Sequence, residues 1–406
     1  MKNHFLRKIL AATHLTQHGK LADATRAIQR ALSGEARAGA HTEASSTGPS
    51  MAGVGDDAMV LDGLVRDVGD TSHGADAPDA FKEEAGVAAA PLRDAEPPVV
   101  APPGAERFLD SSFTGAAGTR SFKLFTPAGF EGRPLPLVVM LHGCTQDPDD
   151  FAAGTGINEL ARADGFFVLY PAQAARSNAH KCWNWFSPAD QQRGAGAPAL
   201  LAGMVRHVLQ THPIDPDRVY VAGLSAGGAM AAILASEYPD VFAAAGVHSG
   251  LPAGAAHDVA SAFSAMKAGP AGGAARRPVA ARDAPADGRP RRPSAPVIVF
   301  HGDADSTVTA ANGDAVIAAA LEGTPEAVAQ RVDSTQARGG RGVRRTVWRE
   351  SNAGANTPSI AEQWVVLGAP HAWSGGAATG SYTDPKGPDA SREMVRFFRD
   401  HPRRRP

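Results

Sequence analysis

No apolar run in the 406-residue chain approaches the roughly eighteen residues that a membrane helix requires, so no transmembrane segment is expected. Net charge is also nearly absent: 40 Lys and Arg stand against 42 Asp and Glu, a formal balance of −2. Phosphate binding needs a strongly basic face, so nucleic acid is not an expected partner. The arginine-rich pieces 276–292 and 403–405 are short and proline-laden and read as solvated loop and tail. The opening stretch MKNHFLRKILAATHLTQHGK offers only Ile9 to Ala12 as an apolar centre before Thr13 and His14, too brief for a standard signal peptide. Cysteine is scarce as well, with Cys144 and Cys182 the only two.

What is present suffices for one large core with appendages, since 43% of the residues are hydrophobic. Phe5, Leu6, Ile9 and Leu10, then Leu21, Ile28 and Leu32, fall at helical spacing on two segments joined by His18-Gly19. This predicts a helical hairpin over 1–33, an appendage for packing or partner contact. Residues 34–107 lose periodicity and fill with Ala, Gly, Pro, Asp and Ser, the signature of a disordered linker. One large ordered domain is expected over 108–401, with a flexible excursion at 269–296.

Within that domain, apolar runs alternate with helical stretches. SFKLFTP at Ser121, LVVMLHG at Leu137 and FFVLYP at Phe166 come first; VYVAG at Val219, AAAGVHSG at Ala243, VIVFHG at Val297 and QWVVLG at Gln363 follow. Runs that are apolar throughout predict strands covered on both faces, and the alternation predicts an α/β fold with a mainly parallel central sheet flanked by helices. Such a sheet gathers its ligands at the carboxyl ends of its strands.

At one of those ends lies Gly223-Leu224-Ser225-Ala226-Gly227, between the β-rich Val219-Tyr220-Val221 and the proline-free stretch Ala226 to Glu237. Composition alone supplies about 0.3 G-x-S-x-G matches in such a chain, so the strand-turn-helix setting carries the argument. It makes Ser225 a candidate nucleophile on a sharp elbow, with glycines where a Cβ would crowd the turn. A serine hydroxyl needs an imidazole to take its proton and a carboxylate to orient that imidazole. In the α/β-hydrolase arrangement these follow the serine in the order Asp or Glu, then His. Asp303 and Asp305 lie after VIVF, and only His371 and His401 follow them; His401 sits in the tail, which leaves His371. Either aspartate fits on spacing. Asp303 is close enough to the strand to brace the loop instead, so Asp305 is preferred. The oxyanion donors expected are the N–H groups of Ala226 and Cys144, with His142 structural.

The two cysteines admit a disulfide, two reduced thiols or a cysteine nucleophile, the last weak because neither sits on an elbow. If both segments line one cleft, a Cys144–Cys182 bridge closing about 39 residues would stabilise by roughly 4 kcal/mol and would favour an oxidising compartment.

LHGCTQD, CWNWF, GLSAGGAM, HGDADSTV, HAWSGG and GSYTDPKGPDASREMVRFF occur in this order from about Phe108 to Phe398. Together they resemble the esterases of the polyhydroxybutyrate (PHB) depolymerase family, α/β-hydrolases related to feruloyl and acetylxylan esterases. The resemblance implies nucleophile Ser225, acid Asp305, base His371 and an oxyanion residue at Cys144, with no metal or cofactor. It implies a polyester or small ester substrate, a possible contact with polyhydroxyalkanoate granules, and an extracellular location, with a cytoplasmic one as the alternative. Trp183, Trp185 and Trp373, close in sequence to these motifs, are expected to offer apolar surface to the substrate, core packing being their other reading. Two other functions stay open: a feruloyl or acetylxylan esterase, and a non-catalytic granule-binding protein.

Overall fold

Strands that are apolar on both faces form the middle of the sheet, as their sequences require. The computed structural model describes residues 104–403 apart from 130–131, 271–293, 323, 325–326, 335–339 and 352–356. The expected helical hairpin, residues 34–103 of the expected linker and most of the 269–296 excursion lie outside the described residues. In chain order the elements are β1 (Arg107–Gly115), β2 (Gly118–Thr126), β3 (Leu135–Leu141), α1 (Pro148–Thr155), α2 (Ile157–Asp164), β4 (Phe167–Pro171), α3 (Gly196–Thr211), β5 (Ile214–Leu224), α4 (Ala226–Glu237) and β6 (Ala244–His248). They continue with α5 (Val259–Ala268), β7 (Val297–Gly302), α6 (Ala311–Ala320), β8 (Ala327–Ser334), β9 (Val343–Glu350), β10 (Ala361–Val366), the short β11 (Trp373–Ser374) and β12 (Thr383–Asp384), and α7 (Ala390–Asp400).

Ten strands make one sheet in the order β1-β2-β4-β3-β5-β6-β7-β10-β9-β8. The six from β4 to β10 run parallel, and antiparallel strands close both edges. Alternation along each strand divides the core. Leu137, Val139, Leu141, Val219, Val221 and Val299 pack with α3, α4 and α6 on one face. Val138, Met140, Tyr220, Ala222, Ile298 and Phe300 pack with α1, α2 and α7 on the other. Helix α4 has no polar face and is buried almost throughout, behind the centre of the sheet. This is an α/β-hydrolase fold.

The edge strands β1, β8 and β9 were not among the expected runs. Strand β1 is largely exposed, and β9 reads VRRTVWRE with charged side chains between its buried ones, so neither carries the continuous apolar run that marks a central strand. Because the central strands are parallel, the segments after β3, β5, β7 and β10 emerge on one rim. His142 to Cys144, Ser225, Asp303 to Asp305 and His371 follow those strand ends.

Candidate active site

Ser225 joins β5 to α4 with φ 57° and ψ −119°, a backbone region that L-residues rarely occupy. Two glycines make the turn possible. A Cβ on Gly223 would run into the Gly227 carbonyl, and one on Gly227 into the Leu141 carbonyl of β3. The Ser225 N–H donates to the His248 carbonyl at 2.9 Å, while its own carbonyl accepts from Ala229 N–H at 2.9 Å and opens the helix. Ala226 is the first residue of α4, so its N–H is one of those a helix leaves without an intrahelical acceptor.

The turn after β3 lies against this elbow: a Cβ on Gly143 would sit 3.7 Å from Ser225 Cβ. Gly143 N–H donates to Gln146 Oε1 at 2.9 Å, and Thr145 N–H to the His180 carbonyl at 2.6 Å. Among the described residues no acceptor takes the Cys144 N–H between them. Its peptide plane is held from behind, because His142 Nδ1–H donates to the Gly143 carbonyl at 2.7 Å while His142 Nε2 accepts from Gln173 N–H at 3.1 Å. Burial pushes the His142 imidazole down to about 4, which keeps it in this single neutral form at pH 7. Cys144 is bonded to Cys182 with an S–S distance of 2.07 Å, so the turn is tied to the segment carrying Trp183.

On the opposite side, Asp305 and His371 meet. His371 Nδ1 lies 2.7 Å from Asp305 Oδ2, and Asp305 Oδ1 accepts from the N–H groups of Thr307 at 2.9 Å and Val308 at 2.8 Å. Burial alone would raise the Asp305 carboxyl, but the His371 hydrogen bond and charge, with Val308 N–H and His301, hold it below the usual range. The aspartate thus stays ionised, oriented toward the ring and closed to solvent, whereas the His371 side chain keeps 12% of its surface exposed. Asp303 is exposed and takes a different place, its Oδ1 accepting from Gly368 N–H at 2.6 Å. His401, the other histidine that chain order left, is buried against Phe397 and bonded to backbone carbonyls. Among the described residues Ser225 Oγ makes no hydrogen bond to His371. In unliganded sites that bond is often long and tightens with substrate.

The three tryptophans require a correction. Trp183, Trp185 and Trp373 are 0%, 5% and 1% exposed, so they pack the interior and leave a substrate no ring surface. Trp183 donates its indole N–H to the His142 carbonyl at 3.0 Å under the Arg120 guanidinium. Trp185 packs edge-on against Phe186. Trp373 donates to Ser391 Oγ at 3.0 Å and stacks on His248. Their motifs lie beside the site in sequence, but their indoles anchor the loops from below.

His248 is the residue that sequence reasoning missed. Its backbone carbonyl holds the Ser225 N–H, and its Nε2 accepts from Ser374 N–H at 2.9 Å, so one residue links the elbow to the loop that carries His371. Burial, with the neighbouring His301 and His371, pushes its imidazole down to about 3. The available signal was its position at the end of the strand next to β5.

These two imidazoles predict a stability profile. Each has a folded pKa below its unfolded value of about 6.5, so its full contribution is present above pH 6.5 and is lost as pH falls toward the folded value. Unfolding free energy is expected to drop by about 2 kcal/mol per histidine between pH 7.5 and pH 5. Urea titrations at the two pH values measure it, and an unchanged midpoint would contradict the assignment.

A strained serine elbow, a clamped amide beside it and an Asp–His pair on the same rim of an α/β-hydrolase sheet are the parts that a serine hydrolase needs. Residues 120–347 match the family described as Esterase PHB depolymerase, more than half of the chain, and the protein belongs to that family of carboxylic ester hydrolases. Poly(3-hydroxyalkanoate) depolymerase C of Paucimonas lemoignei is 42% identical over 154 residues, covering 38% of this chain and 37% of that protein. Feruloyl esterase B of Thermothelomyces thermophilus is 36% identical over 140 residues, covering 34% of this chain and 47% of that protein. Less than half the length of either relative is therefore spanned. An acetyl xylan esterase from Aspergillus awamori shares the fold, with a TM-score of 0.55 at 20% identity over 72% of this chain and 99% of that one. No helix among the described residues is long and apolar enough to cross a membrane.

Proposed function

We propose that the protein is a serine esterase that hydrolyses the ester bonds of polyhydroxyalkanoate, polyhydroxybutyrate above all, or of its oligomers. The contact between His371 Nδ1 and Asp305 Oδ2, on the rim that also carries the strained Ser225, is the observation on which this reading rests. Ser225 Oγ attacks the ester carbonyl carbon and its proton passes to His371 Nε2. Negative charge on the carbonyl oxygen is met by the N–H groups of Cys144 and Ala226, with the positive end of α4 behind the second. As the tetrahedral intermediate collapses, the alcohol leaves with the proton from His371 and an acyl-Ser225 remains. Water, deprotonated by the same nitrogen, releases the acid and restores the serine. Asp305 holds the ring in the required tautomer throughout.

The polyester is preferred over the carbohydrate ester because the relative with the highest identity among those named acts, by its name, on poly(3-hydroxyalkanoate). The feruloyl or acetylxylan reading is the second, favoured by the feruloyl esterase at 36% identity. The Cys144–Cys182 bridge supports an oxidising, extracellular location. Granule contact belongs to the same proposal; in the rival, non-catalytic reading it runs through residues 1–33, and deleting them is then expected to weaken sedimentation with polyhydroxybutyrate granules.

The deciding experiment compares kcat/KM on a hydroxybutyrate trimer, amorphous polyhydroxybutyrate, methyl ferulate and acetylated xylan. Preference for the hydroxybutyrate esters by at least about tenfold, a difference of roughly 1.4 kcal/mol in transition-state binding, is expected. Preference for either carbohydrate-type ester overturns the substrate assignment and leaves the esterase chemistry standing.

A further inference from the structure

The three indoles are buried, but another ring beside the oxyanion turn is exposed. Tyr382 is 39% exposed, and its hydroxyl lies 3.2 Å from Thr145 Oγ1, in the residue directly after Cys144. Since Thr145 Oγ1 donates its own proton to the Cys144 carbonyl at 2.6 Å, it accepts from Tyr382, and the two bonds form a short relay onto the oxyanion turn.

Both residues are held in a conformation that their side chains disfavour. Thr145 has φ 66° and Tyr382 φ 51°, a region that costs a non-glycine residue of order 1–3 kcal/mol and that a β-branched residue rarely enters. Surrounding contacts impose it. Tyr382 O accepts from Trp373 N–H at 2.6 Å. The preceding Ser381 donates its N–H to Asp150 Oδ1 at 2.8 Å, and its carbonyl accepts from Gln146 Nε2 at 3.2 Å. Gln146 is the same side chain that holds Gly143 N–H. A closed circuit, Gly143 to Gln146 to Ser381 and Tyr382 to Thr145 and Cys144, therefore fixes an exposed phenol ring against the oxyanion turn. Such strain gathers where a side chain must be aimed.

We propose that Tyr382 is a specificity-determining contact residue, its ring forming the subsite for the part of the substrate chain that extends beyond the scissile ester. The inference rests on the esterase reading above. A ring already fixed by Thr145 loses little freedom on binding and offers an apolar face to a methyl-bearing aliphatic ester repeat. An acetyl ester is too short to use that face fully, so the ring favours long substrates over short ones.

The test measures kcat/KM on a hydroxybutyrate trimer and on p-nitrophenyl acetate for wild type, Tyr382→Ala and Tyr382→Phe. Tyr382→Ala is expected to lower the trimer-to-acetate selectivity at least about tenfold, mainly through trimer KM, whereas Tyr382→Phe, which keeps the ring, stays within roughly threefold of wild type. Unchanged selectivity in Tyr382→Ala, a parallel fall on both esters, or an equal loss in Tyr382→Phe overturns the proposal. Tyr382→Gly removes the ring and relieves the positive φ, so it gives the same reading if Tyr382→Ala fails to fold. Should the wild type not cleave the trimer, the hydroxybutyrate reading fails on its own and the same variants are scored on methyl ferulate, whose aryl acyl group also reaches past an acetyl.

Discussion

Ser225→Ala is expected to lower kcat on p-nitrophenyl acetate by roughly 10⁴- to 10⁶-fold, because in the proposed mechanism the acyl intermediate forms on this hydroxyl. The loss should come without unfolding. Ala keeps the strained φ of 57° and removes only an oxygen, so the melting temperature is expected to stay close to that of wild type. Ser225→Gly should be as inactive yet more stable, by about 1 kcal/mol, since glycine adopts that conformation without strain. A catalytic serine separates activity from stability in this way, whereas a structural turn would lose both together.

The aspartates divide on the same logic. Asp305→Asn removes the charge that orients His371 and is expected to lower kcat by about 10⁴-fold. Asp303→Ala removes an exposed acceptor for Gly368 N–H and should lower stability by about 1 kcal/mol with kcat within roughly tenfold of wild type. Reversed effects would move the acid to Asp303.

The second large effect concerns the disulfide. Cys182→Ser, or reduction of the bridge, opens a loop defined by a sequence separation of 38 residues. The unfolded chain then gains entropy worth about 4 kcal/mol, a melting shift on the order of 8 °C for a domain of this size. Activity should fall as well. The turn carrying the Cys144 N–H loses its tie to the Trp183 segment, and a displaced oxyanion donor is expected to lower kcat by roughly ten- to a hundredfold. Calorimetry and ester turnover on oxidised and reduced protein measure both effects. Equal melting temperatures and equal kcat would show that the bridge neither stabilises the fold nor holds the site.

Much of this arrangement is legible in the sequence, for local reasons. The elbow declares itself because strand, glycines, serine and helix are contiguous, and the central strands because burial on both faces leaves runs such as LVVML and VIVF. Chain order after Ser225 narrows the acid to Asp303 or Asp305 and the base to His371 or His401; the distance of Asp305 from its strand and the tail position of His401 decide the preference. What escaped depends on contacts between distant segments. His248 joins the elbow to Ser374 across 126 positions, and AAAGVHSG marks only that it ends a strand, not what it binds. The circuit from Gln146 to Ser381 spans 235 positions. The tryptophans misled for the converse reason: neighbours of the site in sequence, they face the interior, while exposed Tyr382 reaches the oxyanion turn from the far end of the domain. Edge strands β1 and β9 went unread because exposed strands need no continuous apolar run.

Intact-mass and peptide-mapping mass spectrometry after treatment with a fluorophosphonate tests the central claim most directly. One phosphonyl group on Ser225, absent from Ser225→Ala and formed far more slowly in a His371→Ala variant that still folds, is the predicted result. Folded wild-type protein that takes up no label, or carries it on another residue, would contradict the account.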